Sequence, residues 1–206
     1  MRRILVATSN PGKIRDFVGA ARVHDVELDV LPQYRQIEPP VEDGNTFEAN
    51  ARIKAEYYSR HVPGQLVLAD DSGIEIDALG RAPGVRSARY ATDEIGYVGD
   101  DLDDRNNALV LERIKNIPDP RRTGRFVCVL ALARDGVTLA TFAGKAEGLI
   151  LRELRGSNGF GYDPMFYFPQ IGKTFAQLDA EEKSHYSHRG AAFRAFLEWA
   201  DKHQTA

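Results

Sequence analysis

The chain has 206 residues, of which 43% are hydrophobic, and a formal net charge of -3 at pH 7. This length supports one sizeable core, or two lobes that share a cleft. Because lysine and arginine are not in excess, broad binding to nucleic acid is disfavoured. The sequence shows no signal-peptide pattern and no apolar run of membrane-spanning length. We therefore expect a cytoplasmic protein that binds neither nucleic acid nor membranes.

The first predicted unit is a strand, a loop and a helix. Residues 4–7 are β-like, residues 8–13 are polar, and four apolar residues then recur at helical spacing: Ile14, Phe17, Val18 and Ala21. A second helix is predicted to begin near Asn45, with Asn45 as its cap and Glu48 reaching back to it. Its buried side is marked by Phe47, Ala51 and Tyr58.

The middle of the chain predicts two strands and a helix. The apolar residues 66–69 predict a buried strand that stops at Asp70 and Asp71. The alternation of Ile74, Ile76 and Ala78 with acidic residues predicts a second, half-exposed strand. The acidic run 100–104 is interpreted as the solvated start of a helix.

The last third predicts a hairpin followed by a helix. Two segments are β-rich, residues 126–133 and residues 138–143, and Asp135-Gly136 between them favours a tight turn. Cys128 in the first segment is predicted to be a buried thiol. The final helix is predicted to bury Ala192, Phe193, Phe196, Leu197 and Ala200. Interleaved strands and helices indicate an α/β fold, with residues 1–206 as one domain of two lobes around a central, mixed, elongated sheet. We expect a substrate cleft between those lobes.

The segment SNPGK (residues 9–13) is the first candidate site. It leaves a strand for a helix, and it offers backbone N–H groups, a flexible Gly12 and the cation Lys13 near the positive end of a helix dipole. This arrangement suits phosphate oxygens, although Ile14 follows Lys13 and the Walker pattern is therefore absent. The alternative is a turn with a solvated lysine.

The segment DDSG (residues 70–73) is the second candidate. Period-two alternation sends its two carboxylates in different directions, so that one of them can face a cleft. A strand-end Asp together with Glu42 would supply two hard oxygen ligands to Mg²⁺, which leaves other positions for water and substrate phosphates. The alternative is an Asx turn that ends the strand.

The third candidate is Lys54 on the predicted second helix. Asn50 and Lys54 are four residues apart and share a helical face, so both can point toward whatever Glu42 binds. Lys13 and Lys54 would then neutralise triphosphate oxygens. The alternative for Lys54 is an exposed helical lysine.

The fourth candidate combines GFGYD (residues 159–163) with EEKSHYSHRG (residues 181–190). Phe160 and Tyr162 can stack on a base, and Asp163 can accept from ring N–H groups. Lys183 is one of the donors that a base could use; the others are His188 and Arg189. The alternatives are core packing for the aromatic residues and a surface position for His188.

Six segments occur together in one order: SNPGK, TFEANA followed by KA, ADDSG, PGVRSARY, GFGYDP and EEKSHYSHRG. In this order they resemble the inosine/xanthosine triphosphate pyrophosphatase family, from residue 8 to about residue 190. Two features depart from the family pattern. Val41 stands where an acidic residue often precedes the position of Glu42, and residues 90–106 form a longer and more acidic segment.

The resemblance implies an elongated α/β homodimer that hydrolyses inosine, deoxyinosine and xanthosine triphosphates with Mg²⁺, thereby cleansing the nucleotide pool. It implies that Asp71 binds metal and accepts a proton, that Glu42 is the other metal ligand, and that Ser72 touches substrate. Phosphates would contact Thr8, Ser9, Asn10, Pro11, Gly12 and Lys13. The base would be held by Phe160, Gly161, Tyr162, Asp163, Lys183, His188 and Arg189.

The predicted reaction is attack of a water on the α-phosphorus, with Asp71 as general base, Lys13 and Lys54 as catalytic cations and pyrophosphate as leaving group. Donors such as Lys183 and Arg189 match the O6 acceptor of hypoxanthine and xanthine and are mismatched with the amino group of adenine. Two alternatives stay open. One is a related Maf-like pyrophosphatase that prefers pyrimidine nucleotides, and the other is a nucleotide-binding sensor without turnover.

Overall fold

The computed structural model describes residues 2–8, 10, 12–14, 17 and 26–203. The strands are β1 (Arg2–Val6), β2 (Val26–Val30), β3 (Leu66–Ile76), β4 (Thr123–Arg134), β5 (Val137–Ile150), β6 (Phe166–Phe168) and β7 (Lys173–Thr174). The α-helices that follow residue 26 are α1 (Phe47–Ser59), α2 (Tyr90–Ile95), α3 (Leu102–Arg113), α4 (Ala180–Tyr186) and α5 (His188–Lys202). Gly12, Lys13, Ile14 and Phe17 are also helical, whereas the predicted helical positions Val18 and Ala21 lie outside the described residues.

The seven strands form one mixed sheet in the order β2-β1-β3-β4-β5-β6-β7. Strand β1 is parallel to both of its neighbours, with Leu5 opposite Asp29 of β2 and Val6 opposite Leu68 of β3. Strand β6 is antiparallel to β5 and to β7. The predicted α/β fold with a mixed sheet is therefore confirmed. Within the described part of the chain, no helix is long and apolar enough to span a bilayer.

The chain divides into two compact units that interleave along the sequence. Unit 1 contains residues 1–71, 128–145 and 184–206, and unit 2 contains residues 72–127 and 146–183. In unit 1, the apolar face of α5 packs with β1, β3 and β4 through side chains that include Ile4, Leu68, Leu130, Phe193 and Phe196. In unit 2, Phe126, Phe166 and Phe175 form an aromatic cluster with ring centroids 4.7–5.7 Å apart.

Three local predictions are wrong. Ile74 and Ile76, predicted to lie in a separate second strand, belong to β3, and Ala78 lies in a 3-10 helix (Asp77–Leu79). The strand from Leu66 does not stop at Asp70 but continues to Ile76, because basic side chains pair with both carboxylates inside the fold. The cap of α1 is Thr46 rather than Asn45, since the Thr46 hydroxyl accepts a hydrogen bond from the N–H of Ala49 at 3.1 Å. Such a cap satisfies one of the amides that a helix start leaves without a partner.

The hairpin and the final helix are confirmed. Asp135 (φ 52°) and Gly136 (φ 81°) both lie in the left-handed region that a two-residue primed turn requires between β4 and β5. The five apolar residues predicted for the last helix are all buried. Cys128 is also buried, which raises the pKa of its thiol to about 12 and agrees with a packing role.

Gly144 allows the first turn of α5 to lie directly on β5. A Cβ at this position would come within 2.1 Å of the His188 carbonyl oxygen and 2.4 Å of the Ala192 nitrogen, both of which are helix backbone. Backbone atoms cannot rotate away as the end of a flexible side chain can. The glycine therefore fixes where the helix start that carries His188 and Arg189 is placed.

We predict that Gly144→Ala lowers the free energy of unfolding by about 2–3 kcal/mol, because the added methyl group overpacks a contact between backbones. Gly64→Ala is the control: Gly64 has φ +74° with open space around its Cβ position, so only backbone strain of about 1 kcal/mol is expected. Urea denaturation of both variants measures the difference. A smaller loss for Gly144→Ala than for Gly64→Ala would contradict the close-contact explanation.

Candidate active site

Asp70 is a buried carboxylate of β3 that pairs with cations from two other segments of unit 1. Its Oδ1 and Oδ2 lie 3.0 and 2.9 Å from the Lys13 Nζ, and its Oδ2 lies 3.9 Å from the Arg189 Nε. Burial alone raises the pKa of Asp70, but Lys13, Arg189 and Lys54 outweigh it and hold that pKa well below its ordinary value. Asp70 is therefore ionised, and it anchors Lys13 and the start of α5.

Asp71, the next residue of β3, contacts a different set of side chains. Its Oδ1 accepts a hydrogen bond from the Lys54 Nζ at 2.8 Å, and its Oδ2 accepts from the Asn50 amide at 3.3 Å. The Lys54 ammonium also donates to Glu42 Oε2 at 2.7 Å. The structure thus brings Glu42, Lys54 and Asp71 together, as the sequence predicted. Lys54 is only 9% exposed, which contradicts the alternative of a surface lysine.

Asn50 ties the loop that carries Glu42 to β3. While its amide nitrogen donates to Asp71, its Oδ1 accepts from the Gly44 N–H at 2.8 Å. A Cβ on Gly44 would lie 2.6 Å from that same oxygen, so the close approach requires glycine at this position. Asn50 and Lys54 lie on one face of α1, which is the geometry that their four-residue spacing predicts.

The charges around Lys54 and Asp71 shift both titrations. Burial lowers the pKa of Lys54, but Asp71, Asp70 and Glu42 together raise it above its ordinary value, so this lysine stays protonated. Burial raises the pKa of Asp71, and Glu42 and Asp70 add to that effect against the opposing charge of Lys54. Asp71 is thus a carboxylate whose affinity for a proton is increased, as a general base requires.

In segment 8–13, the described residues cap their own helix start. Asn10 Oδ1 accepts from the N–H groups of Gly12 and Lys13 at 2.8 and 3.3 Å, and the Thr8 hydroxyl accepts from the Asn10 N–H at 3.1 Å. The Lys13 ammonium points to Asp70 instead of lying in solvent. Ser9 and Pro11, which the sequence also assigned to phosphate binding, lie outside the described residues.

In unit 2, Phe160, Asp163 and Lys183 form a compact group. Asp163 Oδ2 accepts from the Lys183 ammonium at 2.5 Å and from the Phe160 N–H at 2.9 Å, and the ammonium lies 4.9 Å from the centre of the Phe160 ring. Lys183 and Asp163 are buried, whereas Phe160 is half-buried. The structure therefore unites a cation, a carboxylate and an accessible aromatic ring.

Tyr162, Ser72, His188 and Arg189 are the remaining predicted residues. Tyr162 is buried and donates its hydroxyl to the Ser87 carbonyl at 2.7 Å, which matches the packing alternative. Ser72 is half-buried and follows Asp71 in β3. His188 and Arg189 start α5 and are 3% and 2% exposed, so the surface alternative for His188 is wrong. These two residues belong to unit 1, whereas Lys183 belongs to unit 2.

Several residues that were not predicted from the sequence hold the backbone near these groups by hydrogen bonds. Ser87 accepts from the Ile74 N–H at 2.9 Å and donates to the Gly84 carbonyl at 2.6 Å, and a Cβ on Gly73 would collide with its oxygen. Asp103 and Asn107 of α3 hold the backbone of Gly161. Their four-residue spacing is a local signal of a shared helical face, but nothing in the sequence names their partner.

Glu42 and Asp71 are the carboxylates that are predicted to bind Mg²⁺, and the side chains around them show whether the ion fits there. Both carboxylates contact the Lys54 ammonium, so their oxygens already converge on one positive charge. Across the described residues, no group of three or more His, Cys, Asp or Glu side chains could hold a metal. Mg²⁺ commonly uses one or two carboxylates and completes its shell with water and phosphate oxygens, so two carboxylates are a suitable protein contribution.

The fold is that of an α/β protein. Its two buried carboxylates and the two lysines paired with them form a site that is suited to phosphorylated ligands. Residues 4–199 match the model of the Ham1 family. The chain is 52% identical to a dITP/XTP pyrophosphatase of Acidobacterium capsulatum over 94% of its own length and 96% of the relative. The chain belongs to the Ham1 family.

Solved structures agree with this assignment. The HAM1 protein of Coxiella burnetii has a TM-score of 0.83 and 36% identity, with 98% of this chain and 100% of that chain covered. The Ham1 protein of Staphylococcus aureus has a TM-score of 0.82 and 35% identity, with 98% and 99% covered. The similarity therefore extends over the whole fold that carries the site.

We predict opposite effects on stability for the two neighbouring aspartates. The folded state lowers the pKa of Asp70, so its charge stabilises the fold, and Asp70→Asn should lower the free energy of unfolding at pH 7 by about 3 kcal/mol by leaving buried cations poorly paired. The folded state raises the pKa of Asp71, so its charge is unfavourable there, and Asp71→Asn should leave stability unchanged or increase it. Chemical denaturation of the two isosteric variants measures this. Equal losses would contradict the separate roles.

Proposed function

We propose that this chain hydrolyses non-standard purine nucleoside triphosphates, namely those of inosine, deoxyinosine and xanthosine, to the monophosphate and pyrophosphate. The observation that carries the proposal is the convergence of Glu42 and Asp71 on the Lys54 ammonium in a Ham1-family chain. The name of the 52% identical relative, dITP/XTP pyrophosphatase, supports the choice of substrate.

Unit 1 supplies the charges for the triphosphate. Lys13 and Lys54 each stay beside a carboxylate, so both ammonium groups are fixed in place before a substrate arrives. Cations held in a partly buried site stabilise developing negative charge more strongly than mobile surface cations do. We assign both lysines to the phosphate oxygens, with segment 8–13 beside them.

Glu42 and Asp71 are the residues that would hold Mg²⁺. When bound, the metal ion would neutralise phosphate charge and polarise the bond to the leaving group. Asp71 accepts the proton of the water that attacks the α-phosphorus, a task that its raised pKa favours. Asn50 keeps the Asp71 carboxylate oriented by donating to Oδ2.

The group of Phe160, Asp163 and Lys183 is assigned to the base. The half-exposed ring of Phe160 offers a stacking face, and the Lys183 ammonium beside it offers a donor to a base oxygen. Hypoxanthine and xanthine present an O6 acceptor, whereas adenine presents an amino donor that leaves the ammonium without an acceptor. We assign Lys183 to O6, and we retain Gly161, Asp163, His188 and Arg189 as predicted base-site residues. Tyr162 is not retained, because its side chain is buried and donates its hydroxyl to the Ser87 carbonyl.

We also propose that the enzyme works as a homodimer in the cytoplasm, as the family resemblance implies. Light scattering at micromolar concentration tests the oligomeric state: a mass of two chains supports a dimer, and a mass of one chain contradicts it.

The proposed function is tested by product analysis of a substrate panel. Inosine, xanthosine, guanosine, adenosine and uridine triphosphates are incubated with and without Mg²⁺, and pyrophosphate is scored separately from orthophosphate. We expect Mg²⁺-dependent pyrophosphate release that is strongest for inosine and xanthosine triphosphates. A pyrimidine preference would favour a Maf-like activity, and saturable binding without turnover would favour a sensor; either result would contradict the proposal.

We predict that Asp71→Asn reduces kcat for inosine triphosphate by at least about a hundredfold, because the amide cannot accept the proton of the attacking water. Glu75→Gln is the matched control, since Glu75 lies on the same strand but pairs with Arg125 in unit 2 at 3.4 Å. Initial rates of pyrophosphate release compare the two variants. Near-normal turnover by Asp71→Asn would remove Asp71 from the role of general base.

We predict that Lys183→Met reduces the ratio of kcat/KM for inosine over adenosine triphosphate by about tenfold, because it removes a donor that fits only the O6 acceptor. Arg189→Met is measured alongside, since Arg189 lies near Asp70 in unit 1. Circular dichroism checks that both variants are folded. An unchanged ratio for Lys183→Met with a reduced ratio for Arg189→Met would transfer base selection to Arg189.

A further inference from the structure

The backbone of Gly161, inside the predicted base-binding segment 160–163, is held on both sides by helix α3. Asp103 Oδ2 accepts from the Gly161 N–H at 2.8 Å, and the Asn107 amide nitrogen donates to the Gly161 carbonyl at 3.0 Å. Asp103 and Asn107 are four residues apart and therefore lie on one face of the helix. We propose that α3, through Asp103 and Asn107, is a positioning element that sets the geometry of the base site. This proposal rests on the proposed function.

The two contacts act on a glycine, whose backbone no side chain of its own restrains. Gly161 has φ +59°, and there is open space around its Cβ position, so no side chain of its own fixes it there. Glycine loses more conformational freedom on ordering than any other residue. Because one contact holds the N–H and the other holds the C=O, both peptide planes beside Gly161 are fixed.

The same helix is connected to the next residue of the segment. Tyr162 donates its hydroxyl to the Ser87 carbonyl at 2.7 Å, and the Asn106 amide donates to that carbonyl at 3.4 Å and to the Ala88 carbonyl at 3.3 Å. Asn106 Oδ1 in turn accepts from the Ala91 N–H at 2.7 Å. Asn106 and Asn107 are both buried, so the face of α3 that carries them is itself fixed by packing.

The groups assigned to the base are attached directly to these fixed peptide planes. Phe160 precedes Gly161, and its N–H donates to Asp163, which also pairs with Lys183. A movement at Gly161 would therefore change the distance between the Phe160 ring and the Lys183 ammonium. A positioned site avoids the entropic cost of ordering this segment during binding.

The acidic residues of the run 100–104 make different contacts in the structure. Asp101 accepts from the Tyr97 hydroxyl and pairs with Arg105, so these contacts lie within residues 97–105. Asp103 contacts the 160–163 segment by accepting from the Gly161 N–H, whereas Asp104, one residue further on, is exposed on the same helical turn. Asp104 is thus a matched control for Asp103.

The kinetic test measures KM and kcat for inosine triphosphate and compares Asp103→Ala, Asp103→Asn and Asp104→Ala with the wild-type protein. Asp103 is exposed, so its substitution should leave the fold intact. Because base contacts are present in both ground and transition states, we expect Asp103→Ala to raise KM about tenfold with kcat within about twofold. Asparagine keeps an oxygen acceptor and should restore most of the affinity, and Asp104→Ala should match the unchanged chain. Equal KM values for Asp103→Ala and Asp104→Ala would overturn the proposal.

A second measurement does not need turnover. Hydrogen exchange of a peptide that covers residues 159–163 should be faster in Asp103→Ala than in Asp104→Ala, because the Gly161 N–H loses its acceptor. Equal exchange would overturn the positioning role even if KM changed. If the unchanged chain releases no pyrophosphate, the proposed function fails, while the exchange experiment still decides whether α3 positions the segment.

Discussion

The structure depends on the neutralisation of two consecutive carboxylates inside β3. Asp70 and Asp71 are 4% and 9% exposed, and two unpaired charges at such a depth would destabilise the fold by several kcal/mol each. Because successive strand residues point to opposite faces, the two carboxylates form their ion pairs with different cations. Lys13 and Arg189 pair with Asp70, and Lys54 pairs with Asp71. The first pairing stabilises structure, and the second leaves a carboxylate with a raised pKa.

The surrounding elements of unit 1 bring these side chains to β3. Helix α1 begins at its Thr46 cap and presents Asn50 and Lys54 one turn apart toward Asp71. Helix α5 places Arg189 near Asp70, and its position depends on the missing side chain of Gly144. A helix cap and a glycine therefore determine where the charges lie, which is why their substitution is expected to affect the site.

Periodic and local signals in the sequence predicted much of this fold. The Asp-Gly turn, the apolar face of the last helix and the four-residue spacing of Asn50 and Lys54 all correspond to features of the structure. The continuation of β3 through Asp70 was not predictable, because the charges that permit it come from remote segments. Thr46 and Asn45 both carry suitable cap acceptors, so composition could not choose between them. The contact between Asp103 and Gly161 joins residues 58 positions apart and leaves no local pattern.

In the proposed reaction, the carboxylates and lysines of unit 1 direct water to the α-phosphorus of a purine triphosphate. The most direct test is hydrolysis of inosine triphosphate in water labelled with heavy oxygen, followed by mass analysis of both products. We expect one labelled oxygen in inosine monophosphate and none in pyrophosphate, since the oxygen that attacks stays on the phosphorus it reaches. Label in pyrophosphate or orthophosphate would show attack at another phosphorus and would contradict the proposed reaction.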